Sequence, residues 1–338
     1  MIQPTANPLP AFYARHGVRE PLTTRRIRAG RNSEVSYLSN SDGQWILKRY
    51  YQHPNDPRDR LGVEFGFLTF LAKAGVRGVP LPLGKDVTLS SALYSFVPGE
   101  RPIAVGPDLV HQAASFVTSV NLLRESPAAR ALPAAADACF SVRDHLALAT
   151  SRAARLAAVL PESDAEVAAR DFVSERLVPL CARLEQELEE PQLAEPLPQA
   201  ARILSPSDFG FHNALLHDGR LSFVDFEYAG WDDPAKLVCD FMCQPEVPVS
   251  ESQGLQFCEE LAAQLPHADA GALRGRVRSL LPVHRIKWCC ILLNELRLEG
   301  RQQRLHAAGS EPEGLLAAQL GKAKRYFSEH LSPLTQET

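Results

Sequence analysis

The sequence predicts an α+β protein of two lobes, in which a small antiparallel sheet with one helix precedes a larger, mainly helical part. The first observation is length, because 338 residues are many for one domain. The second is a series of short strand-like segments with turn residues between them in residues 23–97, and the third is helical spacing of apolar residues after residue 106. We therefore expect an N-terminal arm in residues 1–22, a first lobe in residues 23–97 and a second lobe in residues 98–338.

The composition is typical of a globular protein. Hydrophobic residues make up 45% of the chain and charged residues 22%, which is enough apolar material for a sizeable core. The net charge of −4, from 36 basic and 40 acidic residues, argues against a nucleic-acid partner. The chain has neither an apolar run long enough for a membrane span nor the apolar centre of a secretory signal, so we expect no membrane association and a cytoplasmic location. The seven cysteines match no zinc pattern, and we expect reduced, mostly buried thiols.

The first lobe is expected to contain three strands, one helix and a second hairpin. Residues 26–29, 35–38 and 44–50 have strand character and are separated by turn residues. A helical pattern follows from residue 58 to about residue 74. Residues 86–97 read as a hairpin that ends the lobe.

Lys48 and Glu64 are expected to form a buried ion pair in this lobe. Glu64 falls on the apolar stripe of the predicted helix, whose members follow one another at three- and four-residue steps. A carboxylate among core positions is costly unless a cation pairs with it, and Lys48 on the preceding strand is the nearest candidate. The alternatives are an exposed strand lysine and a glutamate that turns to the solvated edge of its helix.

The second lobe is expected to consist mainly of helices. Asp233 before Pro234 is typical of a helix start, because Asp caps the first turn and proline fits its first position. Asp240, one or two turns further on, is expected to be a buried brace for the loop that carries the chemistry. Helical patterns cover residues 108–125, 142–160, 163–189, 253–265, 272–306 and 312–330.

A hairpin is expected in the middle of the stretch from residue 203 to residue 241. Two short apolar runs flank Asp218 and Gly219, a dipeptide that favours the type I′ turn of a β-hairpin. Counting outward from this turn makes Asn213 and Asp225 diagonal neighbours at the open end of the hairpin. The sequence therefore predicts that an amide oxygen and a carboxylate meet there.

These residues suit metal binding and proton transfer. Hard oxygen ligands such as Asn213 and Asp225 are the kind that Mg²⁺ prefers, since it keeps waters and substrate phosphates at its other positions. Asp208 lies five residues before Asn213, so a loop can carry it beside the same metal. There it could accept a proton from an attacking hydroxyl.

The same residues form a motif. Asp208 and Asn213 in the pattern D-x4-N, followed by the hairpin and by the D-F-E-Y of residues 225–228, resemble the catalytic segment of the aminoglycoside phosphotransferase and choline kinase superfamily. Small-molecule kinases of this superfamily share the protein-kinase fold, so the resemblance implies a bilobal protein-kinase-like architecture. The resemblance covers nearly the whole chain. Further matches downstream are Asp233-Pro234 and Asp240-Phe241.

One position departs from the family pattern. The family has a histidine two residues before the catalytic aspartate, and Pro206 stands there in this chain. In related kinases that histidine supports the loop and does not touch the transferred group, so its loss is expected to change the bracing of Asp208. His212 is the residue we expect to take over part of this role.

The resemblance implies transfer of the γ-phosphoryl group of ATP to a hydroxyl of a small molecule, with ATP and Mg²⁺ as cofactors. It implies that Asp208 is the catalytic base and that Asn213 and Asp225 hold Mg²⁺. Lys48, positioned by Glu64, would bind the phosphates. The other nucleotide positions that it implies are Gly30, Asn32 and Ser33 over the phosphates and Ser95, Phe96 and Val97 at the adenine edge.

The resemblance leaves the acceptor open between an amino alcohol such as choline, an aminoglycoside and a sugar-like alcohol. Tyr228, Trp231 and Trp288 could form an aromatic box for an ammonium group, as in a choline-like site. Aromatic residues near a cleft are more often core, however, and sugars also stack on them. Glu227 and Glu295 complete the candidate substrate residues.

Two other functions are considered. One is a catalytically inactive pseudokinase that binds nucleotide and acts as a sensor or scaffold. A protein that only binds nucleotide has no need of Asp208. The presence of all five polar residues therefore argues against this hypothesis; they are Lys48, Glu64, Asp208, Asn213 and Asp225. A protein kinase is not supported, because the H-R-D, D-F-G and A-P-E motifs are absent from the sequence.

Overall fold

The computed structural model describes residues 8–27, 32–54, 56–188, 194–265, 269–309 and 314–332. The strands are β1 (Thr23–Ile27), β2 (Ser33–Asn40), β3 (Gly43–Tyr50), β4 (Pro82–Asp86), β5 (Ser91–Ser95), β6 (Ile203–Ser205), β7 (Ala214–His217), β8 (Arg220–Phe223) and β9 (Gly230–Asp232). The helices are α1 (Leu9–Arg15), α2 (Arg60–Lys73), α3 (Pro107–Asn121), α4 (Pro127–Arg130), α5 (Val142–Ala157), α6 (Asp164–Phe172), α7 (Val178–Glu187), α8 (Pro234–Cys243), α9 (Glu251–Gln264), α10 (Ala270–Leu292), α11 (Leu298–Ala308) and α12 (Leu315–His330).

The first five strands form one antiparallel sheet in the order β1-β2-β3-β5-β4. Because side chains alternate along a strand, each strand contributes to two faces. Leu47 of β3 packs on one face with Leu38, Leu93 and the α1 residues Phe12 and Tyr13. The segment before the sheet therefore covers its outer face.

Helix α2 covers the other face of the sheet. Asp59 caps it by accepting a hydrogen bond of 2.8 Å from the Gly62 N–H, as Asp does at helix starts. The apolar side chains that it buries are Leu61, Phe67, Leu68, Phe70 and Leu71. Glu64 lies on the same buried face and is only 3% exposed, so it needs a partner inside the protein.

The remaining helices form the larger part of the molecule around two apolar clusters. One cluster extends from α2 and the inner sheet face to α3, α8 and α9. The other surrounds α5, α7, α10 and α12. This arrangement confirms the predicted α+β class.

Within the described ranges, none of the helices has the length and apolar character that a membrane span requires. All seven cysteines are free thiols, and only Cys139 is not fully buried.

Several element boundaries differ from those expected. Strand β4 begins at Pro82 and residues 87–90 form the turn, whereas a strand was expected from residue 86. Proline is tolerated at the first position of an edge strand, which explains this start. The expected long helix over residues 272–306 is divided into α10 and α11.

Candidate active site

The hairpin β7–β8 has the register that the Asp218-Gly219 turn predicts. His217 pairs with Arg220, and the φ angles of Asp218 and Gly219 are 46° and 74°, which is the left-handed pair of a type I′ turn. At the open end, the Val224 N–H donates to the Asn213 carbonyl over 2.9 Å. Asn213 and Asp225 therefore both lie at the open end of the hairpin, where they line the same cavity.

Aromatic packing anchors the loop that carries Asp208. Phe209 and Phe211 are 2% and 0% exposed, and the Phe209 ring stacks on the rings of Phe116 and Phe241. Large buried rings leave a short segment little freedom, so Asp208 and His212, which flank the two rings, are held at the cavity that they line.

Asp208 contacts His212 and Asn213. His212 Nε2 lies 3.1 Å from Asp208 Oδ1, and Asn213 Nδ2 donates to the Asp208 carbonyl over 2.9 Å. Burial by itself raises the pKa of Asp208, but the charge of His212 and its hydrogen bond outweigh burial, so the pKa of Asp208 is lowered. The converse holds for His212, whose pKa is raised by Asp208 against the effect of burial. Asp208 is therefore a carboxylate at neutral pH, and His212 fixes one of its oxygens.

Lys48 contacts three carboxylates from different parts of the chain. Its Nζ lies 2.6 Å from Glu64 Oε2, 2.5 Å from Asp225 Oδ1 and 3.2 Å from Glu227 Oε2. Glu64 is held in turn, since it accepts hydrogen bonds from the Tyr50 hydroxyl at 2.7 Å and the Phe226 N–H at 3.2 Å. The lysine on β3 and the glutamate on α2 thus form a buried, oriented pair.

The carboxylates around Lys48 outnumber the cations there. Oxygens of Glu64, Asp225 and Glu227 lie within 4.8 Å of one another. The pKa of Asp225 is raised to about 7, because burial and the carboxylates of Glu227 and Glu64 together outweigh the opposing effect of the Lys48 ammonium. Excess negative charge on closely spaced oxygens suits a divalent cation. Asn213 and Asp225, whose carboxylate is partly exposed, line the same cavity.

Glu227 has a different position from the one expected. It is 3% exposed and accepts hydrogen bonds from Asn32 Nδ2 at 3.0 Å and Ser33 Oγ at 2.9 Å. These contacts tie the start of β2 to the segment after β8. Glu227 is therefore a link between the sheet and the catalytic segment and not a residue that lines the acceptor cavity. Gly30 lies outside the described residues.

The three candidate adenine-edge residues lie at the end of β5, where Ser95 is the last strand residue, and directly after it. The Ser95 N–H donates to the Leu81 carbonyl over 2.9 Å, so this group is already used in pairing with the neighbouring strand. The Phe96 ring packs edge-on against Tyr37, with centroids 5.2 Å apart. Val97 follows directly before the chain enters the helical part.

A cavity of about 610 Å³ joins many of the candidate residues. Asp208, Asn213 and Asp225 line it, and side chains of α5, α10 and α11 line the remaining wall. Other predicted residues on its wall are Asn32, Tyr228, Trp288 and Glu295.

The predicted aromatic box is not assembled. Trp231 is 8% exposed in the core, where its indole N–H donates to the Ala129 carbonyl over 3.0 Å, so its expected place in the cleft is corrected. The guanidinium groups of Arg58 and Arg60 lie 5.8 and 5.9 Å from the centroid of the Tyr228 ring. Trp288 lines the cavity, but a single wall ring does not form a cage.

Asp240 organises a polar network that the sequence indicated only in part. It accepts hydrogen bonds from Lys287 Nζ at 2.5 Å and Trp288 Nε1 at 2.8 Å. Lys236 lies between Asp240 and Asp232 at i, i+4 spacing, and its Nζ donates to the Ser207 hydroxyl next to Asp208. The four-residue spacing of Asp232, Lys236 and Asp240 predicts ion pairs at the start of a helix. No local pattern in the sequence indicates that Lys287 and Trp288 of α10 also bond to Asp240.

The chain is similar to a known protein family and to several solved structures. A family model described as the phosphotransferase enzyme family matches residues 23–271. A choline kinase from Cryptosporidium parvum Iowa II is 11% identical, with a TM-score of 0.57 over 92% of this chain and 90% of that chain. A spectinomycin phosphotransferase in complex with ADP and spectinomycin is 11% identical, with a TM-score of 0.60 over 96% and 100%. A choline/ethanolamine kinase family protein from Mesorhizobium loti is 18% identical, with a TM-score of 0.55 over 97% and 95%.

At these identities the structural likeness shows the fold, which is the kinase-like fold that the sequence predicted. No curated protein sequence is significantly similar to the chain.

Proposed function

Because this chain belongs to the phosphotransferase enzyme family, we propose that it is an ATP-dependent small-molecule kinase, which transfers the γ-phosphoryl group to a hydroxyl. The observation that carries this proposal is the convergence of Asp208, Asn213 and Asp225 on one cavity, with Lys48 bonded to Asp225 at 2.5 Å. In phosphoryl transfer the protein mainly positions the reactants and neutralises charge. Lys48 would supply a positive charge for the phosphates, and Asp208, Asn213 and Asp225 would supply oxygens for a metal ion and for a proton.

Lys48 would bind the phosphates of ATP. Its ammonium is oriented by Glu64 at 2.6 Å, and buried carboxylates raise its pKa well above the ordinary value although burial alone would lower it. It therefore keeps a positive charge at the sheet side of the site. Asn32 and Ser33 at the start of β2 would cover the phosphates, and the backbone of Phe96 and Val97 would meet the adenine edge.

Asn213 and Asp225 would hold Mg²⁺. The Asn213 amide nitrogen is used by the Asp208 carbonyl, which orients the side chain so that its oxygen is available as a ligand. Asp225 has a left-handed backbone with φ of 69°, a conformation that is more common at functional sites than elsewhere. When bound there, Mg²⁺ would supply charge neutralisation on the phosphates.

Asp208 would accept the proton of the acceptor hydroxyl. One of its oxygens is fixed by His212 at 3.1 Å, and the side chain is 33% exposed towards the cavity. The second oxygen can therefore receive a hydrogen bond from an incoming alcohol. As the alcohol oxygen bonds to the γ-phosphorus, the bond to ADP breaks and the alcohol proton moves to Asp208.

The test is Asp208→Asn in the full chain, with Asp218→Asn as the matched control, since Asp218 is an exposed turn residue. We expect Asp208→Asn to lower kcat by a factor of about 100 to 10,000, the usual contribution of a general base, while Mg-ATP binding persists by calorimetry. Phosphoryl transfer by Asp208→Asn at the wild-type rate would overturn the proposed role. Mg-ATP binding by the wild type without transfer to any acceptor would instead support the pseudokinase alternative.

A further inference from the structure

The wall of the cavity that α5, α10 and the segments beside them form is lined by charged side chains of both signs. Helix α5 contributes Arg152 and Arg155, and the loop before it contributes Asp137. Helix α10 contributes Lys287, and the segment from α10 into α11 contributes Glu295 and Arg297. Because Asp208 lines the same cavity, the side chains of this wall would contact an acceptor.

The carboxylates on this wall are already paired with basic groups. Apart from Asp208, whose partner is His212, every carboxylate that lines the cavity in the described part of the chain has an Arg or Lys within ion-pair distance, and Asp225 has Lys48. A cationic acceptor would therefore have to displace an internal partner, at the cost of leaving that partner unpaired. The pairs are Asp56 with Arg58 and Arg60, Asp137 with Arg152, Asp240 with Lys287, Glu246 with Arg101, Glu295 with Arg304, and Glu299 with Arg297.

Arg155 is the exception among the basic groups. The structure records no ion pair or hydrogen bond between its guanidinium and any described residue, whereas every other Lys or Arg that lines the cavity has a carboxylate partner in the described ranges. Burial lowers the pKa of Arg155, and the guanidinium groups of Arg152 and Arg297 lower it further. Arg152 and Arg297 line the same cavity and already have the carboxylate partners Asp137 and Glu299, so Arg155 is the guanidinium that an anionic ligand would pair with.

Two buried polar atoms on the same wall have no hydrogen-bond partner among the described residues. Arg152 Nε is buried and has no hydrogen-bond partner, although Nη2 of the same guanidinium donates to Asp137. Glu295 Oε2 is also buried without a partner. The first is a donor that an anionic oxygen would satisfy, and the second is an acceptor that a hydroxyl would satisfy. Such a wall suits a ligand that carries both groups.

We propose that the acceptor is a hydroxylated anion, with a carboxylate or phosphate group bound by Arg155 and Arg152, and not an ammonium compound. This inference rests on the proposed kinase function. Arginine presents a planar fork of donors that matches carboxylate and phosphate oxygens. The unassembled aromatic box, with Trp231 in the core, removes the feature that would bind an ammonium.

The first experiment compares acceptor classes. The full-length protein is incubated with Mg-ATP and three defined mixtures of hydroxylated compounds. The anionic mixture contains sugar acids, hydroxy acids and sugar phosphates, the neutral one contains sugars and polyols, and the cationic one contains amino alcohols, amino sugars and aminoglycosides. Mass spectrometry then detects products that have gained one phosphoryl group. Products from the anionic mixture support the inference, and their identity distinguishes carboxylate from phosphate recognition. Products confined to the other mixtures overturn it.

The second experiment tests Arg155 directly. We expect Arg155→Gln to raise the KM of the anionic acceptor about 10- to 100-fold, the equivalent of one or two charge-assisted hydrogen bonds, without changing the KM of ATP. Arg143→Gln is the matched control, because Arg143 is an exposed residue of the same helix that does not line the cavity. Equal acceptor KM values in the wild type and both variants would overturn the role of Arg155.

Failure of the kinase function is a separate outcome. If no mixture yields a product, the proposed function fails, and binding of gluconate and inorganic phosphate is measured by ligand-observed NMR with the same three proteins. Binding that Arg155→Gln loses and Arg143→Gln keeps supports an anion site. Binding that is absent from the wild type, or equal in all three proteins, rejects it.

Discussion

Lys48 shows how a single residue depends on distant parts of the chain. Glu64 on α2, Asp225 after β8 and Glu227 two residues later all lie within 3.2 Å of its Nζ. The pairing with Glu64 could be expected from the sequence, because a carboxylate on an apolar stripe needs a nearby cation. The contacts with Asp225 and Glu227 join residues almost 180 positions apart, and no local pattern indicates them.

His284 is a second buried residue whose environment has a measurable consequence. Its Nδ1 lies 3.1 Å from Asp240 Oδ1 and its Nε2 lies 3.4 Å from His145 Nδ1. The pKa of His284 is lowered to about 3, because burial and the Lys287 ammonium together outweigh the opposing effect of the Asp240 carboxylate. His284 is therefore neutral in the folded protein at pH 7.

We predict that His284 makes the folded state sensitive to acid. An unfolded histidine binds a proton near pH 6.5, whereas folded His284 does not until about pH 3. The free energy of unfolding therefore falls as the pH is lowered through this window, by up to about 1.4 kcal/mol per pH unit. His284→Asn keeps a donor for Asp240 and removes the titrating group. Urea denaturation between pH 7.5 and 4.5 should show that, below pH 6.5, the free energy of unfolding falls less in the variant than in the wild type. A stability difference that is constant with pH would contradict this prediction.

At the scale of elements, the β7–β8 hairpin and its turn place the two metal-ligand candidates. The register from His217↔Arg220 to Ala214↔Phe223 brings Asn213 and Asp225 together, and a slip by one residue would turn one of them away. The turn fixes this register because both of its central residues have positive φ.

Gly219→Ala is expected to destabilise the protein by about 1 kcal/mol. The φ angle of Gly219 is +74° and no atom lies within 4 Å of an added Cβ, so the cost is the left-handed backbone of an L-residue and not a clash. Gly275→Ala is the matched control, since Gly275 is an exposed residue of α10 with equally open surroundings. The control should stabilise by about 0.5 to 1 kcal/mol. If urea denaturation shows that both substitutions lower the free energy of unfolding, or that both raise it, the turn argument is contradicted.

At the scale of the whole molecule, a few polar contacts connect the sheet to the helical part around the cavity. Asn32 and Ser33 bond to Glu227, Lys48 bonds to Asp225, and Arg26 donates to the His306 carbonyl over 2.7 Å. Two of these connections end on residues that we propose as nucleotide and metal contacts. Binding of Mg-ATP should therefore stabilise the two parts together.

We predict that Mg-ATP at about 100 times its Kd raises the free energy of unfolding by about 2.7 kcal/mol through mass action. Chelation of Mg²⁺ by EDTA should remove most of this gain, and so should Asp225→Asn, a change that the left-handed backbone at this position tolerates. Asp42→Asn in the exposed β2–β3 turn is the control. Thermal denaturation with and without Mg-ATP measures the gain, and an undiminished gain for Asp225→Asn would argue against its metal role.

The sequence by itself determined the features that depend on neighbours along the chain. The strand and helix classes follow from apolar periods of two and about 3.6, the hairpin register follows from Asp218-Gly219, and the start of α8 follows from Asp233, whose side chain accepts from the Ala235 N–H. The motif residues Asp208, Asn213 and Asp225 were found in the same way, since five residues and one hairpin separate them.

Only the tertiary structure decided which distant side chains meet. Trp231 lies in the core and Glu227 at the junction with the sheet, although both belong to a segment whose local pattern favoured the cleft. The arginines of α5 and α11 converge on the cavity because helices far apart in sequence pack side by side. The physical reason is that periodicity and turn chemistry act over a few residues, whereas burial and charge pairing depend on how whole elements pack.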